Sequence, residues 1–454
     1  MLSPDLHAAR RAALSKQVGR PILLMGNTAR SRNLPMSPLP FRQDSTFLYF
    51  TGCTRPGAAL LLVDGATTLY LPPPAADDAL WHGHAEQLED MAAEVGITQV
   101  RSEDTLEADA AALEALATIA VPDLAQTQRA SRIVGDALVF GDHNGDDALI
   151  EAIIQMRRTL SEAELDEMRC TAEVTDAAHR AAMAATRPGA HERDVAAAFE
   201  SVVARAGLST AYPSIVTVRG EVLHNFHHIN PLEDGQLLLL DGGAEAATGY
   251  ATDVTRTWPV SGQFTPRQEA AYAAVLQAQL DAIELVRPGV RYRRVHDKAS
   301  LVLAEFLKDE GLLRCSAEDA VHTGAHALFF PHGVGHLIGL DVHDLENFGD
   351  RAAYPPDRER SPQFGTGYLR LDLDLEAGMV VTVEPGFYVV PAILEDPTLR
   401  ERFADQVDFE IAARWAGFGG IRIEDDVAVT PGDPEVISGA IPKAIDALLP
   451  CIGR

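Results

Sequence analysis

Four acidic residues and one histidine stand in segments where a lone ionised side chain would be costly. Each lies in or beside a short apolar or glycine-bounded run, and an unpaired buried carboxylate is strongly disfavoured. Several such groups that converge on one place usually share a cation. The pattern predicts a metal site that holds two ions, formed by Asp241, Asp253, His336, Glu384 and Glu424.

The two aspartates lie close to predicted strands. Asp241 follows four leucines and precedes two glycines, which places it at the end of a buried strand with a tight bend behind it. Asp253 falls in TDVTRTWPV, where a period of two places it on one face with Thr255 and Thr257. Taken alone, the first residue would indicate an Asp-Gly turn and the second an ordinary exposed strand acid.

The two glutamates lie in apolar segments. Glu384 interrupts VVTVEPGFYVV, an apolar strand in which a solvated side chain has no obvious exit. In GIRIEDDVAV, Arg422 and Glu424 share one face, and Ile421 and Ile423 share the other. An arginine beside a ligating carboxylate is a sensible partner that orients it.

Histidines are concentrated in PHGVGHLIGLDVHD. His332, His336 and His343 lie among glycines that allow close backbone approach, and this density indicates a metal ligand together with acid–base groups. The alternative is a polar glycine-rich loop with incidental histidines. His322 and His326 have the spacing of a helical zinc pair, but no third ligand follows nearby, so we expect them to be structural or surface residues.

The donor types indicate the ions and the reaction. Four carboxylates and one imidazole favour Mn²⁺ among transition metals, with Co²⁺ or Zn²⁺ as alternatives, and their charge suits two divalent ions. Two ions about 3.5 Å apart can deprotonate a shared water and stabilise the oxyanion that forms when it attacks a carbonyl. The predicted chemistry is therefore hydrolysis of an amide or ester.

The elements that must position these residues fall into two regions. The first, residues 1–157, predicts a mixed α/β domain. Its β-rich runs AALLLV and ATTLYL are joined by Asp64-Gly65, a dipeptide suited to a type I′ hairpin turn. Ala-rich stretches at residues 86–93 and 109–117 predict helices.

The second region, residues 158–454, opens with a predicted capping box from Ser161 to Glu164 ahead of a long helix. Arg-Pro-Gly turns at residues 187–189 and 287–289 each lie between two predicted helices and precede β-rich segments. We interpret this as an internal duplication, which predicts two similar α+β halves about a pseudo-twofold axis with a cleft between their sheets. The alternative is a chance similarity of one short turn.

Composition excludes several classes of function. A chain of 454 residues with 46% hydrophobic content can bury a large core. Its 66 acidic and 38 basic residues give a net charge of -28, so neither nucleic acid nor a membrane is an expected partner. The four cysteines lie far apart without a Cys-x-x-Cys pair, and no export signal is visible, so we expect a cytoplasmic protein.

Five segments in a fixed order resemble the pita-bread metallopeptidases: DGG, TDVTRTWP, HGVGHLIGLDVHD, VEPGFY and GIRIEDDV. More narrowly, they resemble the Xaa-Pro aminopeptidase (aminopeptidase P) and prolidase branch. LPFRQDSTFLYFTG at residues 39–52 and DALWHGHAE at residues 78–86 extend the resemblance over nearly the whole chain. The implied fold is an α/β N-terminal domain followed by an α+β C-terminal pita-bread domain with an internal pseudo-twofold duplication.

The resemblance implies a role for each predicted ligand. Asp241 would bind one metal ion, His336 and Glu384 would bind the other, and Asp253 and Glu424 would bridge the two. Glu384 would also carry a proton from the bridging water to the leaving prolyl nitrogen.

Residues around the metals also receive implied roles. His343 would stabilise the developing oxyanion, His332 would help to hold the proline, and Arg422 would orient Glu424. A further histidine is expected after a leucine; His224 fits best, while His227 and His228 remain alternatives. Tyr388 would line the substrate cleft together with Trp81, which the N-terminal domain, of the same or a neighbouring subunit, would contribute.

The implied activity is that of a dinuclear, Mn²⁺-dependent exopeptidase that removes the residue preceding proline from a peptide N-terminus. The family implies a homodimer or homotetramer. One alternative is a strict Xaa-Pro dipeptidase, because segments 350–374, expected to be an exposed loop, and 391–417 are more like the prolidase arrangement. These segments would narrow the cleft or form an oligomer contact. The other alternative is a creatinase-like protein or binding module without peptidase activity.

Overall fold

The computed structural model describes residues 2–75, 77–83, 86–142 and 144–453 and divides the chain into two units. The N-terminal unit extends to Arg158 and includes Leu345–Ala352, and the C-terminal unit comprises Thr159–Asp344 and the residues from Ala353 onward.

The N-terminal unit is an α/β structure with a mixed five-stranded sheet. The strands are β1 (Ile22–Met25), β2 (Ala59–Val63), β3 (Ala66–Leu71), β4 (Gln99–Ser102) and β5 (Ala117–Thr118), in the order β4-β3-β2-β1-β5. The helices are α1 (Pro4–Val18), α2 (Ser45–Thr51), α3 (Asp78–His82), α4 (Leu88–Glu94), α5 (Leu106–Ala110), α6 (Leu124–Val134) and α7 (Asp147–Arg157). Strands β2 and β3 are antiparallel and meet at Asp64 and Gly65, whose φ angles of 49° and 81° confirm the predicted type I′ hairpin.

One helix predicted in this unit is wrong. Residues 86–93 largely coincide with α4, but residues 109–117 contain only the end of α5 and then the first residue of β5. Ala117 pairs in parallel with Ile22 of β1. This long-range strand pairing overrides the helix propensity of the alanines, which is a weak local preference.

The segment Leu345–Ala352 joins the N-terminal unit through polar contacts. Asn144 donates a side-chain hydrogen bond to the carbonyl of Asn347 at 2.8 Å, and Arg351 forms an ion pair with Asp147 at 2.8 Å. Helix α13 (Asp350–Ala353) begins in this segment. The start of the predicted exposed loop at residues 350–374 therefore contains a short helix.

The C-terminal unit contains two α+β halves. The first half has α8 (Glu162–Ala185), α9 (Glu192–Arg205), β6 (Ser209–Thr210), β7 (Ile215–Thr217), β8 (Leu237–Asp241), β9 (Ala244–Glu245) and β10 (Thr255–Pro259). The second half has α10 (Pro266–Ile283), α11 (Tyr292–Asp309), α12 (Ala317–Thr323), β11 (Val380–Val383), β12 (Gly386–Tyr388), α14 (Pro391–Leu394), α15 (Pro397–Arg402), α16 (Phe409–Ala413), β13 (Gly420–Arg422), β14 (Asp425–Ala428), β15 (Glu435–Val436) and α17 (Ile445–Leu448).

Both halves repeat the same backbone contact after their first long helix. The backbone N–H of Gly189 donates to the carbonyl of Leu232 at 2.9 Å, and that of Gly289 donates to Leu375 at 2.8 Å. Both glycines have a left-handed conformation, with φ angles of 89° and 80°, which a residue without a Cβ adopts at little cost. The matching contacts support the internal duplication.

Three of the sheets lie where the halves join. The first half forms the sheet β10-β8-β7, and the second forms β11-β14-β15 and the pair β12-β13. Every residue of β8, β10, β11 and β14 is buried, as a strand covered on both faces requires. The N–H of Glu424 donates to the carbonyl of Thr255 at 3.0 Å, so β10 and the segment between β13 and β14 are directly bonded.

Candidate metal centre

The four acidic residues lie at the ends or interruptions of buried strands. Asp241 ends β8, and Asp253 lies two residues before β10. Glu384 follows β11, and Glu424 lies between β13 and β14. The strand end predicted at Asp241 and the interruption predicted at Glu384 are confirmed, whereas Asp253 and Glu424 lie just outside the strands predicted to contain them. A residue that leaves the regular pleat is free to direct its side chain away from the apolar face.

The histidine segment runs alongside β11. The N–H of His336 donates to Thr382 Oγ1 at 3.1 Å, and the N–H of Thr382 donates to the carbonyl of His336 at 2.9 Å. A Cβ at Gly335 would lie 2.2 Å from the Thr382 carbonyl oxygen and 2.4 Å from the Tyr292 hydroxyl. The close backbone approach predicted from the glycines is thus present, and it holds His336 next to the strand that ends at Glu384.

The five predicted ligands converge into overlapping groups. Within each group, one donor atom per residue lies within 4.8 Å of the others. The groups are Asp241, Asp253 and Glu424; His336, Glu384 and Glu424; and Asp253, His336 and His343. His336 Nε2 lies 3.5 Å from Asp253 Oδ2 and 3.7 Å from Glu384 Oε1. Asp253 and Glu424 each share one group with Asp241 and another with His336, so they lie between these two ligands.

The electrostatics of the cluster fit a divalent metal pair. Burial raises the pKa of Asp241, Asp253 and Glu424, and it raises the pKa of Glu384 to about 8; neighbouring carboxylates reinforce the increase for Asp241, Glu384 and Glu424. Arg422 opposes these increases with one fixed positive charge. Three buried carboxylates and the half-buried Glu384 outnumber the guanidinium groups of Arg422 and Arg370, which leaves uncompensated negative charge. Hard oxygen donors with one imidazole suit divalent cations.

Arg422 links three parts of the site. Its Nη2 donates to Asp241 Oδ2 at 2.5 Å, and its Nη1 donates to the Tyr388 hydroxyl at 3.0 Å. Its Nε donates to Thr255 Oγ1 at 2.9 Å, and this hydroxyl donates to Glu424 Oε2 at 2.6 Å. Arg422 therefore contacts Asp241 directly and reaches Glu424 through Thr255.

Tyr212 is a site residue that the sequence did not reveal. Its hydroxyl lies 2.6 Å from Asp241 Oδ1 and 2.5 Å from Asp253 Oδ1. Burial raises the pKa of Tyr212 well above its ordinary value, so the phenol stays protonated and donates to a carboxylate. Tyr212 precedes Pro213 and the short apolar strand β7, a context typical of a core aromatic. No local signal distinguishes it.

Two histidines flank the cluster as neutral groups. His332 Nε2 accepts a hydrogen bond from the Tyr388 hydroxyl at 3.0 Å, while its Nδ1 donates to the Gly333 carbonyl at 2.8 Å, and burial lowers its pKa to about 3. The exposed ring of His343 lies 4.2 Å from that of His336, and repulsion by this neighbour lowers the pKa of His343 to about 3.

A cavity of about 610 Å³ opens beside the cluster, a volume within the roughly 300–1,000 Å³ of ligand pockets. The predicted residues on its wall are Asp241, Asp253, His224, His332, His336, His343, Glu384, Arg422 and Glu424. Arg360, Phe364, Tyr368 and Arg370 also line it. All four belong to segment 350–374, and Leu369, Leu371 and Leu373 of the same segment are buried. The prediction of an exposed loop there was wrong, because the segment forms part of the cavity wall.

Comparison with known proteins decides the family. Residues 166–431 match metallopeptidase family M24, and residues 7–119 match the aminopeptidase P N-terminal domain. The chain belongs to metallopeptidase family M24. Membership makes it a hydrolase and implies a dinuclear divalent metal site, which the converging carboxylates and His336 fit.

Relatives of this M24 chain carry two kinds of name. The Xaa-Pro dipeptidase of Homo sapiens is 30% identical over 454 residues, covering 96% of this chain and 89% of its own length. The probable Xaa-Pro aminopeptidase pepP of Pyrenophora teres f. teres is 33% identical over 417 residues, covering 90% and 86%. The aminopeptidase PepP of Pseudomonas aeruginosa has a TM-score of 0.83 at 27% identity, covering 99% and 98%.

These similarities confirm the resemblance to the aminopeptidase P and prolidase branch. They also confirm the predicted fold, an α/β N-terminal domain and an α+β pita-bread domain. Among the described helices of this M24 chain, none is long and apolar enough to cross a membrane.

The remaining predicted residues of this M24 chain differ in their positions. His224 lies on the cavity wall, His227 is exposed, and His228 bonds through Nε2 to the Ser214 carbonyl at 2.8 Å. Tyr388 is buried and reaches the site through its bonds to His332 and Arg422.

Trp81 belongs to α3 of the N-terminal unit and is 58% exposed. Its Nε1 donates to Asp77 Oδ2 at 2.9 Å. Residues 84 and 85 of the same DALWHGHAE segment lie outside the described residues. The predicted place of Trp81 in the substrate cleft stays a prediction.

Proposed function

We propose that this chain is a Xaa-Pro aminopeptidase, which removes the residue preceding proline from the N-terminus of a peptide with the help of two Mn²⁺ ions. The convergence of Asp241, Asp253, His336, Glu384 and Glu424 on the wall of a cavity of about 610 Å³ carries the proposal. The names of the relatives, which include both aminopeptidases and a dipeptidase, support specificity for proline.

In this proposal Asp241 would hold one ion, His336 and Glu384 would hold the other, and Asp253 and Glu424 would contribute to both. The central positions of Asp253 and Glu424 in the cluster support their bridging role. When bound, the ions supply an activated water and a Lewis acid for the scissile carbonyl. Co²⁺ or Zn²⁺ are alternative occupants of the same donor set.

Glu384 transfers the proton in the proposed reaction. Cleavage before proline releases a secondary amine, so the prolyl nitrogen must receive a proton as the bond breaks. Glu384 lies on the wall of the cavity that would hold the peptide, so its carboxylate is placed to pass a proton to the leaving nitrogen.

The flanking side chains bind and orient the substrate. A neutral His343 donates a hydrogen bond to the developing oxyanion without adding a permanent charge. His332, whose two ring nitrogens bond to Gly333 and Tyr388, is fixed in orientation and holds the proline together with His224. Arg422 orients Glu424 through Thr255, and Tyr388 supports His332.

A second candidate function, a strict Xaa-Pro dipeptidase, is favoured by two arginines. Arg360 and Arg370 both line the cavity that contains the cluster. A guanidinium is the side chain best suited to bind a carboxylate, and a dipeptide carries its C-terminal carboxylate one residue from the scissile bond. If either arginine binds this group, longer peptides lose the interaction.

Peptides of two lengths test these candidates. We would compare hydrolysis of Ala-Pro-Ala and Ala-Pro in Mn²⁺-supplemented buffer, with a chelated control. Chelator-sensitive release of alanine from the tripeptide is the expected result, and cleavage of the dipeptide alone would select the dipeptidase. Failure on both, with metal content near zero after purification without chelator, would favour the creatinase-like or binding-module alternative.

A matched pair of variants tests the carboxylate contact. If Arg370 binds the substrate carboxylate, Arg370→Met lowers kcat/KM for Ala-Pro by about 10–100-fold and leaves hydrolysis of Ala-Pro-amide unchanged. Arg358→Met is the control, because Arg358 lies in the same segment but bonds to Asp374. Equal losses on both substrates would contradict a carboxylate contact.

The proposed enzyme is a cytoplasmic homodimer or homotetramer with domains at residues 1–157 and 158–454. Its partners are proline-containing peptides. Trp81 of one subunit would help to close the cleft that binds these peptides. Light scattering that shows a monomer would contradict this assembly. Limited proteolysis that releases a stable fragment beginning near residue 158 would support the domain boundary.

A further inference from the structure

The two residues proposed to bridge the metal ions are held by reciprocal contacts. Glu424 donates its N–H to the carbonyl of Thr255 at 3.0 Å, and its Oε2 accepts from Thr255 Oγ1 at 2.6 Å. In the other direction, the N–H of Asp253 donates to the two carboxylate oxygens of Asp426 at 3.1 and 3.2 Å. Glu424 is thus bonded to Thr255, two positions after Asp253, and Asp253 is bonded to Asp426, two positions after Glu424.

Arg256 lies between these contacts and is fully buried. Its Nη1 donates to the carbonyl of Glu424 at 2.6 Å and to that of Thr255 at 3.0 Å. The other donors reach Asp425 Oδ1 at 2.8 Å and the carbonyls of Ile441 at 3.0 Å and Pro442 at 3.1 Å. A guanidinium has five N–H groups in a planar fork, and these contacts use all five.

Asp425 connects Arg256 to a wider buried network. Its Oδ2 accepts from Lys443 Nζ at 2.6 Å and from Gln279 Nε2 at 2.6 Å. Its Oδ1 also accepts from Ser438 Oγ at 2.6 Å, and the same Ser438 oxygen accepts the N–H of Asp426 at 3.0 Å. The network therefore joins the contacts of Arg256 to the residue that holds Asp253.

A network of this kind fixes geometry more than it adds stability. Burying two charges costs several kcal/mol of hydration, and their attraction offsets this cost only when the geometry is good. Here the rigid fork of Arg256 bonds to the main chain on both sides of the junction between the halves. Donor atoms of Asp253 and Glu424 lie within 4.8 Å of one another, and like charges this close repel, so the spacing of the two side chains depends on such a restraint.

We propose that Arg256 is a positioning residue that keeps Asp253 and Glu424 at the spacing needed to bind the second metal ion. The inference rests on the proposed function, because it assumes that these carboxylates bridge two ions. A single ion can be bound by a subset of the ligands after small side-chain adjustments. A second ion requires both bridging carboxylates in place at once, so loss of the restraint affects this step most.

Metal titration of Arg256→Lys tests the proposal. Lysine keeps the positive charge beside Asp425 but offers three donors on a flexible stem in place of the planar fork. The probe is Mn²⁺, titrated calorimetrically into chelator-treated full-length protein. We expect the first ion to bind within about threefold of the wild type and the second about 10–100-fold more weakly.

Arg169→Lys is the matched control. Arg169 also makes a bidentate ion pair within the C-terminal unit, to Glu435 at 2.7 and 2.8 Å, but it does not touch Asp253 or Glu424. This variant should bind both ions as the wild type does. The visible absorption of Co²⁺-loaded protein provides a second readout, since it reports the coordination geometry and does not depend on turnover.

The outcomes separate this inference from the proposed function. Wild-type protein that binds no Mn²⁺ contradicts the proposed function. If Arg256→Lys binds both ions with wild-type affinity, only the role of Arg256 is contradicted. The same holds if its affinity for both ions falls equally and its unfolding temperature is lower. If Arg256→Lys does not fold, Ser438→Ala tests the proposal instead, because it removes one hydroxyl from the same network. Binding of the second ion to Ser438→Ala should weaken about two- to fivefold, and unchanged binding would refute the proposal.

Discussion

Glu384 should make the metal-free protein less stable as the pH rises. Burial raises the pKa of its carboxyl to about 8, whereas an unfolded chain loses the same proton near pH 4.3. Between these values the unfolded state ionises while the folded state stays protonated. The stabilising contribution of Glu384 is therefore fully present below about pH 4 and is lost progressively as the pH rises toward 8.

The expected loss follows from the size of the pKa shift. Each pH unit between the two pKa values costs the folded state about 1.4 kcal/mol, so the interval from pH 6 to pH 8 costs about 3 kcal/mol. The side chain of Glu384 is 17% exposed, and solvent screening reduces the expected loss to about 2 kcal/mol. Bound divalent ions compensate the carboxylate, so the metal-loaded protein should lose less stability over the same interval.

Urea unfolding of chelator-treated protein at pH 6 and pH 8 measures this effect. Glutamine cannot ionise, so Glu384→Gln should lose about 2 kcal/mol less than the wild type between the two conditions. Glu435→Gln is the control: its hydrogen bond to Arg169 lowers the pKa of Glu435, so its contribution is already complete at both pH values. If Glu384→Gln loses as much stability as the wild type, or if Mn²⁺ leaves the loss unchanged, the reasoning is refuted.

Three further predictions concern individual side chains. Asp253→Ala and Glu424→Ala should each lower activity by more than the roughly 10–100-fold typical of residues that contact metal ligands without binding the metal. Both variants should also contain less metal by elemental analysis. Full activity and full metal content in both variants would refute the site. Tyr388→Phe removes the hydroxyl that contacts His332 and Arg422, so kcat/KM should fall about 5–100-fold with folding intact, while a change below about twofold would contradict the role of that hydroxyl. Tyr212→Phe removes the hydroxyl between Asp241 and Asp253 and should weaken Mn²⁺ binding about tenfold in a calorimetric titration; unchanged affinity would show that the bonds to this hydroxyl do not position the carboxylates.

Features with a local cause could be predicted from the sequence. The capping box from Ser161 to Glu164 is present at the start of α8, and the Asp64-Gly65 hairpin has the expected register. Both depend on contacts between residues a few positions apart. The helix predicted over residues 109–117 failed because Ala117 pairs with a strand almost a hundred residues earlier in the chain. Such a partner leaves no local trace.

The same distinction applies to the candidate site. Residue types and their order identified the five candidate ligands, because a charge within an apolar strand is costly and so interrupts the pattern visibly. Only the tertiary structure brought these residues together, in groups of three whose donor atoms lie within 4.8 Å, and revealed Tyr212 and the five donors of Arg256. Hydrogen bonds between distant segments impose no periodic pattern on the sequence of either segment. Which buried polar residues contact one another is therefore determined only by the tertiary structure.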